Sequence, residues 1–201
     1  MAADAHTTTA EHPPTATGLD NRKLAMWTFL GSECLFFGAL ISTFLLYRDR
    51  VPGNGVQPED VYDIPFTSVS SFVLLMSSLT MVLALAAIQR GDARQMRVWL
   101  VVTALLGMTF VGGQVFEFTA FIHEGFTMRS SVAGSAFFVL TGFHGAHVTV
   151  GILMLLSLAH LSALGRLSPS EGALRVELFG LYWHFVDIVW IVIFTLVYLI
   201  P

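Results

Sequence analysis

Five long apolar stretches alternate with short polar ones along the chain: Leu24–Tyr47, Phe66–Gln89, Val98–Phe121, Val132–Leu164 and Val176–Ile200. Each exceeds the roughly 20 residues that cross a bilayer as a helix. A helix of about 24 residues is about 36 Å long against ~30 Å of hydrocarbon, so tilted spans are expected. The punctuation between the stretches agrees with this reading. Asp20–Asn21 caps the first, Pro65 opens the second, and Arg90–Gly91–Asp92 makes a tight turn before the third. Val51–Pro52–Gly53–Asn54–Gly55 is turn sequence, and Ser168–Pro169–Ser170–Glu171–Gly172 is expected to break the chain between the fourth and fifth. The fold class is therefore an all-α membrane bundle of five transmembrane helices, spanning residues 21–201 behind a tail of residues 1–20.

Composition changes this picture little. Of 201 residues, 55% are hydrophobic and 12% charged, which excludes a soluble domain of ordinary surface. Charge supplies an orientation. Arg22, Lys23, Arg90, Arg94, Arg97, Arg166 and Arg175 fall on one side, and only Arg48, Arg50 and Arg129 on the other. The positive-inside rule then puts the N-terminus in the cytoplasm and the C-terminus outside. Acidic residues gather in the outer loop around Glu59, Asp60 and Asp63. No basic stripe outside the membrane loops suggests nucleic acid. Residues 1–20, rich in Thr, Ala, Pro and His, have no apolar core and read as a disordered cytoplasmic tail, with His6 and His12 solvated. The single cysteine, Cys34, reads as a buried small hydrophobe of the first helix.

Chemistry enters through ionisable residues inside the apolar stretches. A charge at the bilayer centre costs ~2.5–3.5 kcal/mol on insertion scales, so such residues must pair, face other helices or line a path. Glu33 sits among Phe29, Leu30, Phe36, Phe37 and Leu40. A carboxyl in such surroundings favours its neutral form, which leaves open both a proton-handling role and a hydrogen-bonded packing role. His144 and His147 stand three residues apart in Thr141–Val148, beside Gly142 and Gly145. That spacing can ligate a metal, but two more ligands are needed; the glycines argue instead for a packed, hydrogen-bonded pair. In the fifth stretch Glu177, Gly180, His184, Asp187 and Ile191 share one stripe, and Asp187 is placed to accept the imidazole proton of His184. Gln114 and Glu117 repeat the spacing in the third stretch, nearer the outer surface, where a carboxylate costs less.

Depth links these groups. Glu33 is the tenth residue of its stretch, His184 the ninth and Asp187 the twelfth of theirs, and His147 the sixteenth of a stretch running the other way. Three helices thus bring Glu33, His147, His184 and Asp187 to one layer, where a matched set satisfies itself. The glycines Gly31, Gly38, Gly112, Gly113, Gly142, Gly145 and Gly151 are expected to be packed internally or against another subunit.

Four segments in order on four helices resemble subunit III of the haem–copper oxidases: Ser32–Phe37, Gly113–Phe118, Phe143–Val148 and Tyr182–Trp190. The chain is similar to the five-helix bacterial form, without the two N-terminal helices of the longer form. The resemblance implies a core subunit of a terminal respiratory oxidase in a bacterial cytoplasmic membrane, with no active site, haem or copper of its own. Haem and copper are then expected in partner subunits. It further implies contact with subunit I, subunit II and a small subunit IV, structural phospholipid, and support of proton uptake and turnover stability. The residue matching Glu33 is the carboxyl of the family that reacts with carbodiimide. Because the two missing helices complete a lipid cleft in the longer form, that cleft is expected to be smaller here or to be completed by another subunit.

Other readings compete. A quinol oxidase is the near rival; that branch often carries aspartate at the position of Glu33, which favours cytochrome c as donor. An accessory protein of nitric oxide reductase is a third reading within the family. From other classes, a stand-alone haem protein would use His144, His147 and His184 as axial ligands, and a proton or solute transporter would use Glu33 as a gate. The transporter reading lacks the internal repeats and broken helices usual there.

Overall fold

A computed structural model of the protein describes residues 18, 20–51, 62–167 and 169–200. Most of the tail with His6 and His12, the outer-loop turn at Pro52–Gly55, Glu59, Asp60 and Ser168 lie outside the described residues. Five helices follow one another: α1 (Asn21–Tyr47), α2 (Ile64–Gln89), α3 (Ala93–His123), α4 (Val132–Ala163) and α5 (Pro169–Phe194), the last continued by a π-helical turn, Thr195–Leu199. All five are long and apolar enough to cross a membrane.

The helix ends follow the local rules. Asp20, Asp63, Asp92 and Ser131 each cap a helix, accepting the backbone N–H of Arg22, Phe66, Gln95 and Gly134 at 2.8, 3.1, 2.9 and 2.9 Å. The Arg22 N–H also holds the Asp20 carboxyl below its usual range. At the far end of α2, Gly91 takes φ 79°, and Gly91 N–H and Asp92 N–H donate to Ile88 O and Ala87 O. Only glycine adopts that backbone cheaply, so the turn into α3 is fixed by sequence. The same pattern ends α3 at Gly125 and α4 at Gly165.

Two helices begin well outside their apolar stretches. α3 starts at Ala93, on the Asp92 cap, and α5 starts at Pro169. The expected break at Ser168–Gly172 is therefore corrected: the chain turns at Gly165, and Pro169 opens α5. Proline fits there because the first-turn N–H has no helical partner to lose, and Glu171 in the same turn suits the positive end of the helix dipole. Hydropathy marks the membrane, whereas caps mark the helix.

α2, α3, α4 and α5 close a ring in that order, with α5 returning to pack on α2. α1 stands outside the ring, against α4 and α5. Only 17% of its most apolar window is buried, against 50% for the fifth span, so α1 is the helix this chain covers least. The ring is filled with aromatics, among them Trp183, Trp190, Phe110, Phe121 and Phe137. Trp183 fits because two facing helices omit a side chain: a Cβ at Gly107 would lie 2.6 Å from its ring, and one at Gly151 2.8 Å. The outward faces remain apolar, as a lipid-facing surface requires; Leu35, Val69, Phe116 and Ile188 are examples. Cys34 is on such a face, its thiol on the outside of α1.

Candidate functional site

The centre of interest is the seam where α1 meets α4 and α5. Glu33 on α1 and His147 on α4 approach to 3.2 Å, Oε2 to Nε2, with each side chain 18% exposed. The other ring nitrogen of His147, Nδ1, lies 2.7 Å from Phe143 O, one turn back on α4. A carbonyl oxygen only accepts, so Nδ1 carries a hydrogen and donates. That leaves two ways to make the Glu33 contact a hydrogen bond. Either a protonated Glu33 donates to a bare Nε2, or an imidazolium donates Nε2–H to a carboxylate. Both states hold the same number of protons. The geometry therefore defines a pair that shares one proton, and its two forms differ only in which partner keeps it.

The surroundings hold this pair in register. Phe37 meets the His147 ring at 4.9 Å between centroids and 65°, and the Tyr182 hydroxyl on α5 donates to His147 O at 3.0 Å. Tyr182 also stacks on Phe29 of α1. At the ends of the seam, Lys23 Nζ sits 2.6 Å from Glu177 Oε1, and an Arg48 guanidinium N–H donates to Ile200 O at 3.2 Å. Glu177, two turns into α5, is thus ion-paired with the first turn of α1. Both its partners are about a third exposed, so the link is worth roughly 0–1 kcal/mol.

His144 behaves quite differently from His147. It is fully buried, stacked on Trp190 at 4.8 Å and 26° and edge-on to Phe110 at 5.8 Å. Neither ring nitrogen has a hydrogen-bond partner. The expected hydrogen-bonded pair of histidines is corrected on this point: the two rings face different neighbours, and His144 acts as a flat aromatic in the core.

The second ionisable group lies on the seam between α2 and α5. Ser78 Oγ donates to Asp187 Oδ2 at 2.5 Å, and His184 Nδ1 lies 3.2 Å from the same hydroxyl. The direct bond expected from His184 to Asp187 is corrected: Ser78 stands between them. The single layer expected from depth is instead two groups on opposite sides of α5, Glu33–His147 and Asp187–Ser78–His184. Sequence spacing gives height along a helix but not the direction a side chain faces on its neighbours.

Gln114 and Glu117 are buried between helices, Glu117 near the end of the bundle where α2 begins, as its position in the span implies. Gln114 Nε2 donates to Thr141 O at 2.8 Å, and Thr67 Oγ bonds Glu117 Oε1 at 2.6 Å. Serines that sequence reasoning passed over complete the polar interior. Trp183 and Trp190 donate their indole N–H groups to Ser77 and Ser71 of α2 at 2.9 and 2.8 Å. A serine within an apolar stretch reads as merely small; the signal for these two was the pair of tryptophans on α5, each needing an acceptor once buried. Among the described residues, no three His, Cys, Asp or Glu side chains gather where a metal ion could sit.

Comparison with known proteins agrees in sequence over nearly the full length. Residues 4–200 match the family described as Cytochrome c oxidase subunit III. The chain is 39% identical to a Quinol oxidase subunit 3 of Bacillus spizizenii, covering 88% of this chain and 85% of that one. It is 38% identical to a Cytochrome c oxidase subunit 3 of Bacillus sp. (strain PS3), over 89% and 86%. To a Cytochrome bo(3) ubiquinol oxidase subunit 3 of Pseudomonas aeruginosa it is 36% identical, over 98% and 93%.

Proposed function

The chain belongs to the cytochrome c oxidase subunit III family, and on that premise we propose that it serves as the non-redox third subunit of a proton-pumping cytochrome c oxidase. It is a multi-pass membrane protein of an oxidoreductase complex. In this reading it binds no haem or metal, partner subunits hold the haem and copper, and subunit I is its main contact, with subunit II and a small subunit IV nearby. Phospholipid fills part of its periphery. The membrane is the bacterial cytoplasmic one, with Asn21 at the cytoplasmic side.

One observation carries the functional part: the Glu33–His147 pair at 3.2 Å. A proton that passes between an intramembrane carboxyl and the imidazole bonded to it leaves the pair without net charge in hydrocarbon, whichever partner holds it. This suits a supporting role in proton supply, and nothing in it transfers electrons. The choice of cytochrome c over quinol rests on glutamate at position 33, since relatives with both names match about equally well. Oxidation of reduced cytochrome c, tested beside oxidation of a quinol by the same purified complex, decides the donor. Glu33→Ala tests the role. Oxygen reduction should start at the normal rate while the complex inactivates after fewer turnovers. Arrest at the first turnover would overturn the supporting role.

A further inference from the structure

The hydroxyl of Ser78 is unlike its neighbours on α2. Ser68, Ser71 and Ser77 donate to carbonyls of their own helix, about one turn back. Ser78 is turned instead to α5, where its Oγ lies 2.5 Å from Asp187 Oδ2 and 3.2 Å from His184 Nδ1. This trio sits at mid-span. His184 is thirteen residues past Glu171 and fifteen before Leu199, so roughly 20 Å of helix separates it from either end of the span. Net charge is costly at that depth, so the trio is held at zero. A hydroxyl has one hydrogen to give, which leaves two neutral arrangements. In one, a protonated Asp187 donates to Ser78, and Ser78 donates to His184 Nδ1. In the other, an imidazolium donates Nδ1–H to Ser78, and Ser78 donates to an Asp187 carboxylate. His184 Nε2 carries a hydrogen in both. No acceptor among the described residues takes it.

The face of α5 that bears His184 lies between the two helices beside it. Tyr182 and Phe185 turn to α1, against Phe29 and Phe37, while Trp183 and Asp187 turn to α2. His184 is only partly buried, and Ile188 and Ile191, at helical spacing from it, are exposed. We propose that this face docks a transmembrane helix of another oxidase subunit, one that brings a side-chain oxygen to accept the His184 Nε2–H. Hydrocarbon has no acceptor to offer, and an N–H left open in it is expensive. Headgroups and bulk water lie beyond the ends of the span, out of reach of a ring at its middle. A helix is the one element that carries an oxygen to that depth with its own backbone already bonded. The surroundings suit it. Ile188 and Ile191 supply an apolar ridge on either side of the polar contact, and α1 and α2 flank the approach.

This inference rests on the chain being a subunit of an intact oxidase, and its test uses that complex. Benzoylphenylalanine is placed at position 188 of an otherwise unaltered chain and photolysed in the membrane, and the adduct is mapped by peptide mass spectrometry. It should fall on a transmembrane helix of another subunit, within a turn of a residue bearing a side-chain oxygen. His184→Phe fills the same space without an N–H. It should lower the share of this chain that stays with the oxidase through detergent washing by about three- to tenfold, the range of one interhelical hydrogen bond in a membrane. His184→Gln keeps an N–H donor and should restore most of that share. An adduct to lipid alone, or to a second copy of this chain, would overturn the proposal. So would retention of His184→Phe equal to wild type, or equal loss in both substitutions. Failure of the wild-type chain to purify with any oxidase subunit would instead refute the subunit reading itself.

Discussion

Glu33 Oε2 lies 3.2 Å from His147 Nε2 across the seam, while His147 commits its other nitrogen to the Phe143 carbonyl. The seam they form joins the outlying α1 to the ring, so it has consequences for both reactivity and assembly.

Glu33→Gln keeps the size of the side chain and can donate an amide N–H to Nε2. It should leave the yield of the complex unchanged while abolishing carbodiimide labelling of the subunit. In His147→Phe no imidazole remains to take the shared proton, so it stays on Glu33, and labelling should be faster than in wild type. Peptide mapping after a timed carbodiimide exposure reads both. Loss of labelling in His147→Phe would contradict the shared-proton arrangement.

The tryptophan–serine bonds between α5 and α2 are buried at both ends. Ser77→Ala strands the Trp183 indole N–H in a dry core and should destabilise the bundle by about 1–3 kcal/mol. Ser71→Ala should do the same through Trp190. Thermal unfolding in detergent would show it. A surface change of the same type, Ser157→Ala, removes only a bond to its own helix at Leu153 O and should have a far smaller effect.

Glycines of α4 should divide sharply. A Cβ at Gly145 would run into Gln114 Oε1, and one at Gly151 would press on Trp183. Gly145→Leu should therefore lower both melting temperature and assembly, by the ~1–3 kcal/mol typical of overpacking or more. Gly142 has open space where a side chain would go, so Gly142→Ala should leave the isolated bundle as stable as before. Equal damage from the two substitutions would mean the α3–α4 approach is not what Gly145 permits.

Single cysteines at Arg94 and Arg129 should label from opposite sides of the membrane with an impermeant thiol reagent, Arg94 from the cytoplasm. The seven-to-three division of cations requires this. Labelling of both from one side would reverse part of the topology.

The five spans and their caps were legible because hydropathy and capping are local. Asp20, Pro65 and Gly91 act on residues one to five positions away, and the sequence states them directly. The polar interior was half legible. Glu33 and His147 were found from cost and depth, since a lone intramembrane carboxyl demands a partner at its own height. What depth leaves out is azimuth. His184 and Asp187 lie at the right level but turn toward α2, where Ser78 joins them. His144, three residues from His147, has no hydrogen bond at all. The glycines show the same limit. Gly113, Gly145 and Gly151 face close neighbours, whereas Gly31, Gly38, Gly112 and Gly142 face open space on the bundle's own outside. Composition marks a helix face as permissive, and only packing decides which faces are used.

α1 precedes the other described helices in chain order, yet it packs on the two that follow it at the greatest distance, α4 and α5. Glu33 waits for a residue 114 positions later, and Lys23 for one 154 positions later. Until α4 is inserted, the Glu33 carboxyl lacks its partner His147, and a carboxyl in hydrocarbon is costly. Biogenesis of this protein has a vulnerable interval set by chain order, and it ends only when α4 and α5 arrive to shelter that group.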